Sequence, residues 1–250
     1  MTVAIAFDVL GTCFSFAACR RALVAAFPTL SPGHAQSVID DWFHAGQRDF
    51  TYLSMNGSYT PIAQVLRTTL PRILVMHGLV PPPPSPLTEA PPPSLTDPIL
   101  SSIPELPPRP SLAGASALLL AHGGFRLLAA TNGALATTRG LFVRALGADV
   151  ADRWEYFSCD EGRVAKPAPE VYRDVWKRLG VQEGDEKRGW FVASHTWDLH
   201  AAKKAGFKTA FVSYEEHLAL PGLFGTPDVV ASDLEDAARQ IIARETGTEP

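Results

Sequence analysis

The sequence predicts an α/β fold, with a doubly wound parallel sheet and a helical segment inserted after the first strand. Two observations support this prediction. In the second half of the chain, short apolar runs alternate with amphipathic segments, which is typical of parallel strands joined by helices. Between these runs and the first one, at residues 3–7, lies a long stretch that shows only helical periodicity. We expect this insert to form a cap over the edge of the sheet.

The predicted elements follow one another in a regular order. The first strand ends at Asp8, and helices are then predicted over 15–27, 35–50 and 61–78. Further strands are predicted over 126–130, 190–193, 208–213 and 228–231, with helices over 169–179, 197–205 and 234–245. This pattern indicates parallel strands with right-handed crossovers. The core is therefore predicted at 1–14 and 111–250, and the cap at 15–110.

The size and charge of the chain limit its functional class. Its 250 residues, 46% of them hydrophobic, suffice for one α/β domain and a smaller inserted unit. The net charge of −4 and the lack of a basic tract argue against binding to nucleic acid or to a membrane. Cys13, Cys19 and Cys159 lack disulfide or metal-ligand spacing, which favours a cytoplasmic location. The N-terminal apolar run has no positive flank, so we interpret it as a strand rather than a targeting segment.

Residues 81–110 form a proline-rich segment that contains 13 of the 22 prolines. Proline fixes φ and lacks a backbone N–H, so we expect this segment to be extended rather than helical. We interpret it as a semi-rigid loop that leads out of the cap. A binding segment for a proline-recognising partner is the alternative.

Four groups of polar residues stand beside predicted strands and should meet at one edge of the sheet. Asp8 ends the first strand, and Thr131 and Asn132 follow the strand over 126–130. Lys166 precedes the helix over 169–179, and Asp198 follows the strand over 190–193. Each group alone is a weak signal, because an aspartate after a strand often only caps a helix. Together, on alternating strands and helices, they predict one polar site at the carboxyl edge of the sheet.

This arrangement resembles the haloacid dehalogenase (HAD) superfamily, whose hydrolases use an aspartate nucleophile. The resemblance covers nearly the whole chain apart from the proline-rich segment. It is strongest to the L-2-haloacid dehalogenase type, because the apolar Leu10 stands two residues after Asp8. The Thr-Asn-Gly at 131–133, the Lys-Pro-x-Pro-x-Val-Tyr at 166–172 and the Trp-Asp at 197–198 also match. The resemblance implies a Rossmann-like HAD core with a cap, which hydrolyses a 2-haloacid or a related electrophile through an aspartyl ester.

The resemblance also implies roles for individual residues. Asp8 would be the nucleophile, Lys166 would keep it ionised, and Asp198 would orient Lys166 or activate water. The residues expected to bind substrate, by hydrogen bonds or by proximity, are Thr12, Thr131, Asn132, Tyr172, Ser194 and His195. No metal and no cofactor are expected. The expected partners are a small-molecule substrate and, as in many family members, a second copy of the chain in a homodimer.

Two regions of the chain depart from the dehalogenase pattern. The arginine that receives the halide in the family would fall at or near Phe43, and the nearest arginine, Arg48, should lie on a solvated face of the helix. Ala193 and His195 stand where the family has serine and asparagine. Of these two, His195 keeps a hydrogen-bonding side chain. The cap aromatics expected either to line a pocket or to pack the cap are Trp42, Phe43, Phe50, Tyr52 and Tyr59.

Three other functions stay open at this point. A magnesium-dependent phosphatase normally has a second acid at the position of Leu10, which cannot transfer a proton, and a further acid where Ser194 stands. Asp8 and Asp198 could still bind Mg²⁺, so magnesium is the expected cofactor in this alternative only. The chain could also be a HAD-type hydrolase of a larger metabolite. A catalytically degenerate binding protein is the third alternative, although the intact Asp8 and Lys166 favour an enzyme.

Overall fold

The computed structural model describes residues 2–85, 93–180 and 189–248. The chain divides into two compact units, which are Met1–Ser15 with Pro108–Pro250, and Phe16–Pro107. We call the first the sheet unit and the second the helical unit. Within the described ranges, none of the helices combines the length and the apolar character that crossing a membrane requires.

The described residues of the helical unit form four α-helices, namely α1 (Ala17–Ala26), α2 (Pro32–Met55), α3 (Ile62–Met76) and α4 (Pro93–Ser101). Helix α2 begins after Ser31, whose hydroxyl accepts a hydrogen bond from the backbone N–H of His34. Helices α2 and α3 pack against each other, and the indole of Trp42 donates to the carbonyl of Leu66 at 2.9 Å. Gly46 permits this close packing, because an added Cβ would lie 2.5 Å from Leu66 Cδ2.

The prediction that the proline-rich segment contains no helix is wrong. Helix α4 and a 3-10 turn at Ile103–Glu105 both lie within 81–110. Pro93 stands at the first position of α4, where a helix needs no N–H, and Pro98 removes only one hydrogen bond of the helix. The burial of Ile99 and Leu100 offsets this loss. Residues 86–92 of the predicted loop lie outside the described residues.

The described part of the sheet unit contains a six-stranded parallel sheet. The strands are β1 (Val3–Asp8), β2 (Phe125–Thr131), β3 (Trp154–Ser158), β4 (Gly189–Ala193), β5 (Lys208–Val212) and β6 (Val229–Ala231). Their order is β3-β2-β1-β4-β5-β6, and every pairing is parallel. This topology confirms the predicted doubly wound α/β fold. The strand order reverses between β1 and β4, which is the point where such sheets bind ligands.

Helices connect the strands of this sheet. The long ones are α5 (Leu112–His122), α6 (Leu135–Leu146), α9 (Pro169–Arg178), α10 (Thr196–Lys204) and α12 (Leu234–Thr246). The short ones are α7 (Ala148–Ala151), α8 (Cys159–Gly162) and α11 (Pro221–Phe224). The central strands are buried along nearly their whole length, and Ile5, Trp190 and Phe191 have no exposed surface. Their near-continuous apolar sequences follow from this burial, because central strands of a parallel sheet are covered on both faces.

Gly189, at the start of β4, lies in a tightly packed part of the sheet unit. It pairs with Ala4 of β1, and an added Cβ would overlap the ring of Trp176. The Trp176 ring cannot move easily, because it stacks on Phe207 at 3.7 Å and its indole donates to the Ala205 carbonyl. We expect Gly189→Ala to lower the free energy of unfolding by about 1–3 kcal/mol, measured by urea denaturation.

The matched control is Gly140, which lies exposed in α6. An added Cβ there meets no atom within 4 Å, so Gly140→Ala should raise stability by up to about 1 kcal/mol through helix propensity. Equal effects of the two substitutions would contradict this account of the β4 packing.

Candidate active site

Three charged side chains meet at the carboxyl end of β1. Lys166 Nζ lies 2.9 Å from Asp8 Oδ1 and 2.9 Å from Asp198 Oδ2, so one ammonium group bridges two carboxylates. Lys166 and Asp198 are fully buried, and Asp8 is 7% exposed. Asp8 ends β1, Lys166 lies in the loop before α9, and Asp198 lies in the first turn of α10. The structure thus brings together the three residues predicted to be catalytic.

The shifts in pKa follow from burial and from this bridge. Burial alone would raise the pKa of Asp8, but the charge of Lys166 and the proximity of His195 hold it well below its usual range. Burial would likewise lower the pKa of Lys166, yet the charges of Asp198 and Asp8 raise it above 10.5. Burial and the charge of Asp8 raise the pKa of Asp198 despite the opposing effect of Lys166. At neutral pH, Asp8 is therefore an ionised carboxylate beside a charged lysine.

The second oxygen of Asp8 is held by Thr12. The Thr12 hydroxyl donates to Asp8 Oδ2 at 2.8 Å and accepts a hydrogen bond from the backbone N–H of Ser194 at 2.9 Å. This pair of bonds connects the turn after β1 to the end of β4. Both oxygens of Asp8 therefore face a donor, which fixes the orientation of its carboxylate.

Tyr172 of α9 holds Asp198. Its phenol donates to Asp198 Oδ1 at 2.5 Å, while Oδ2 accepts from Lys166. Burial and the nearby charge of Asp198 raise the pKa of the Tyr172 phenol well above its usual range, so it remains a donor. Both oxygens of Asp198 thus accept a hydrogen bond. The structure places Tyr172 next to Asp198, and its predicted contact with substrate stays a prediction.

The turn after β2 contains Thr131 and Asn132. The Thr131 hydroxyl accepts from the backbone N–H of Gly133 at 2.8 Å, so it stabilises its own turn. The Asn132 side chain accepts from the backbone N–H of Lys166 at 3.3 Å and thereby holds the lysine loop. Leu10 approaches the same turn, since its Cδ1 lies 3.9 Å from the position of a Cβ on Gly133.

Ser194 and His195 lie between β4 and α10. His195 is 1% exposed, and its Nδ1 lies 3.6 Å from Asp8 Oδ2. Gly11 makes room for this ring, because its φ is +89° and an added Cβ would lie 2.9 Å from His195 Cε1. The Ser194 hydroxyl is buried and has no hydrogen-bond partner among the described residues.

Sequence reasoning missed two residues that hold the turn after Asp8. The guanidinium of Arg109 donates to the Gly11 carbonyl at 2.8 and 3.1 Å and forms an ion pair with Glu215. Arg109 also lies over the ring of Tyr214 at 4.5 Å. No motif could identify this pair, because its two members lie 106 positions apart in the sequence and neither stands in a recognisable pattern.

In the helical unit, Arg48, Phe43 and Phe50 contact other residues of the same unit. Arg48 is half-exposed and pairs with Asp49 at 2.9 Å, as expected for a solvated helix face. The ring of Phe43 lies 4.2 Å from that of Phe16. Phe50 packs edge-on against Tyr59, and Tyr52 is exposed.

The donor set at the site does not fit a magnesium ion. Mg²⁺ takes near-octahedral oxygen ligands, usually one or two carboxylates together with waters and substrate phosphates. Here Lys166 binds both carboxylates, and both oxygens of Asp198 already accept hydrogen bonds. In the part of the chain that the structure describes, no group of three or more His, Cys, Asp or Glu side chains is arranged to hold a metal.

Comparison with known proteins gives a family match and several similar solved structures. Residues 2–206 match the family model of haloacid dehalogenase-like hydrolases. A search of curated proteins found no match. Among solved structures, the L-2-haloacid dehalogenase from Xanthobacter autotrophicus has a TM-score of 0.75 and 24% identity, over 97% of this chain and 99% of that chain. A second structure of that enzyme has chloropropionic acid covalently bound.

Two further structures show how broad the likeness is. The L-2-haloacid dehalogenase RSc1362 has a TM-score of 0.78 and 21% identity, over 97% of this chain and 99% of that chain. A magnesium-bound structure of YfnB from Bacillus subtilis has a TM-score of 0.67 and 16% identity, over 97% of this chain and 100% of that chain. At these identities, the likeness shows a shared fold.

Proposed function

This chain belongs to the haloacid dehalogenase-like hydrolase family, and we propose that it hydrolyses 2-halocarboxylic acids, or a related small electrophilic acid, through an aspartyl ester on Asp8. The family match confirms the resemblance predicted from the sequence. The observation that best supports the proposal is the Asp8 carboxylate, which Lys166 holds ionised and which the apolar Leu10 follows two residues later in the sequence. In a relative of the same fold, chloropropionic acid is covalently bound.

In the first step, an oxygen of Asp8 attacks the carbon that carries the leaving group. The new C–O bond forms as the carbon–halogen bond breaks, and halide departs with the bonding electrons. Lys166 keeps the carboxylate ionised, and Thr12 fixes its orientation. Leu10, two residues after the nucleophile, cannot protonate a leaving oxygen, so this site suits a leaving group that needs no proton.

In the second step, water attacks Cγ of the Asp8 ester. The tetrahedral intermediate carries a negative charge on oxygen, and the Lys166 ammonium and the Thr12 hydroxyl are donors at the two Asp8 oxygens. The intermediate collapses to the Asp8 carboxylate and a 2-hydroxy acid. Both oxygens of Asp198 accept hydrogen bonds, which supports a role in positioning Lys166.

The test of this proposal is halide release from a panel of 2-chloro- and 2-bromo-carboxylic acids, with p-nitrophenyl phosphate run alongside. We expect halide release with some of these acids and no phosphate release. Phosphate release without halide release from any acid would contradict the proposal and favour the phosphatase alternative.

Metal removal gives a separate prediction. Because no proposed step uses a metal, we expect EDTA to leave the rate of halide release unchanged, measured after dialysis against the chelator. Added Mg²⁺ should likewise have no effect. Strong inhibition by EDTA that Mg²⁺ reverses would contradict the proposed carbon-centred chemistry.

A further inference from the structure

The imidazole of His195 lies beside the proposed nucleophile and is almost completely buried. We propose that His195 is the base that activates the hydrolytic water in the second step, an inference that rests on the aspartyl ester proposed above. This role differs from the substrate binding that the sequence predicted for His195.

The distances permit one water molecule between His195 and the ester carbon. His195 Nδ1 lies 3.6 Å from Asp8 Oδ2, and a carboxyl C–O bond is about 1.2 Å long, so Asp8 Cγ lies within about 4.8 Å of Nδ1. A base acts on a water at about 2.6–3.2 Å, and that water must lie about 3–3.5 Å from the carbon it attacks. A water placed off the line between Nδ1 and Cγ meets both conditions.

The other polar groups around Asp8 are poorly suited to act as this base. Lys166 carries a proton, and the Thr12 hydroxyl donates to Asp8. Both oxygens of Asp198 accept hydrogen bonds, and the Lys166 ammonium stands between Asp198 and Asp8. An imidazole has a ring nitrogen that can accept a proton when the ring is neutral.

The charged groups near His195 come from several elements. Asp8 on β1 faces Nδ1. Glu215, which follows β5, approaches the same side of Gly11 as the ring and is paired with Arg109. Lys166 faces Asp8 from the loop before α9.

Formation of the ester changes the charge next to His195. Esterification removes the negative charge of Asp8, so a neutral imidazole can then direct its Nδ1 lone pair toward the water without repulsion from a carboxylate.

The proposed step balances in atoms and charge. The water oxygen bonds to Asp8 Cγ while one water proton moves to His195 Nδ1. The tetrahedral intermediate then breaks the bond between Cγ and the ester oxygen. The departing alkoxide takes the proton from His195, which yields the 2-hydroxy acid, the Asp8 carboxylate and a neutral imidazole.

The test uses His195→Gln, which keeps a polar side chain but has no basic nitrogen, and His195→Phe, which keeps an aromatic ring, as a second variant. Asparagine is avoided because the family has that residue at this position. With a saturating 2-bromo acid, we expect a burst of halide of about one equivalent per site, followed by turnover slowed about 10²–10⁴-fold. Mass spectrometry should show the substrate without its halide, bound to the peptide that contains Asp8. His200→Asn is the control, because the His200 ring bonds the Phe224 carbonyl and should affect neither step.

Two failures can be told apart in this experiment. If the wild-type protein turns over but neither variant accumulates the ester, the role of His195 is refuted while the ester mechanism stands. If no protein releases halide or labels Asp8 with any acid, the proposed function itself fails, and the inference fails with it. Circular dichroism and thermal melting of both variants establish that they are folded.

Discussion

Asp8→Asn should reduce halide release to the uncatalysed background while the protein stays folded. The amide oxygen of asparagine is a poor nucleophile, so the ester cannot form. The fold should persist, because Lys166 would still be paired with Asp198 and one of two buried carboxylates would be gone. Halide release measures the first effect, and thermal unfolding measures the second.

The matched control is Asp152→Asn, because Asp152 is exposed and forms a surface ion pair with the exposed Arg139. This substitution should leave the rate of halide release unchanged.

A single turnover of the wild-type protein in ¹⁸O-labelled water tests whether the reaction passes through the Asp8 ester. The heavy oxygen should enter Asp8, since the oxygen of the first product comes from the carboxylate. Label in the first product and none in Asp8 would show direct attack by water.

Lys166→Met should have the second-largest effect, lowering both activity and stability. Without the ammonium, Asp8 and Asp198 would be two buried carboxylates with no bridging cation. We expect a loss of about 3–5 kcal/mol in the free energy of unfolding. We also expect a fall of about 10²-fold or more in the rate of ester formation, because Lys166 orients and stabilises the Asp8 charge.

The double variant Lys166→Met with Asp198→Asn separates these two effects. Removing one carboxylate should restore part of the stability, because less uncompensated charge stays buried. Activity should stay low, because Asp8 still lacks Lys166. Full recovery of activity in the double variant would show that Lys166 serves only the fold.

The pH dependence of the Lys166→Met variant follows from the same contact. In the wild-type protein, the pKa of Asp8 lies below its ordinary value of 3.8, so its ionised form stabilises the fold above about pH 4. This stabilisation is lost as pH falls through the folded-state pKa. In the variant, Lys166 no longer opposes burial, and the pKa of Asp8 should rise. Single-turnover ester formation should therefore fall at a higher pH than in the wild-type protein, and identical profiles would contradict this account.

The sequence by itself determined the fold class and the residues that meet at the site. Strands β1 and β4 are short apolar runs, and their burial on both faces produces that pattern directly. The sequence identified these charged residues because each lies beside a strand or helix that local hydrophobic periodicity predicts, namely Asp8, Lys166 and Asp198.

The sequence did not predict every helix. Helix α5 was missed because it is apolar almost all round, which hides the helical period. Helix α4 was missed because Pro93 and Pro98 suggested an extended chain, whereas burial of its apolar residues stabilises a short helix.

Only the tertiary structure decided which hydrogen bonds these side chains form. Lys166 lies 158 positions from Asp8 and 32 from Asp198, so no local pattern shows that one ammonium group bridges both. The same holds for Arg109, which reaches the Gly11 carbonyl from 98 positions away. The direction of each side chain depends on how the strands and helices pack. This packing brings into contact residues that lie far apart in the sequence. For that reason the sequence could name the charged groups of the site, while the fold alone determined how they are paired.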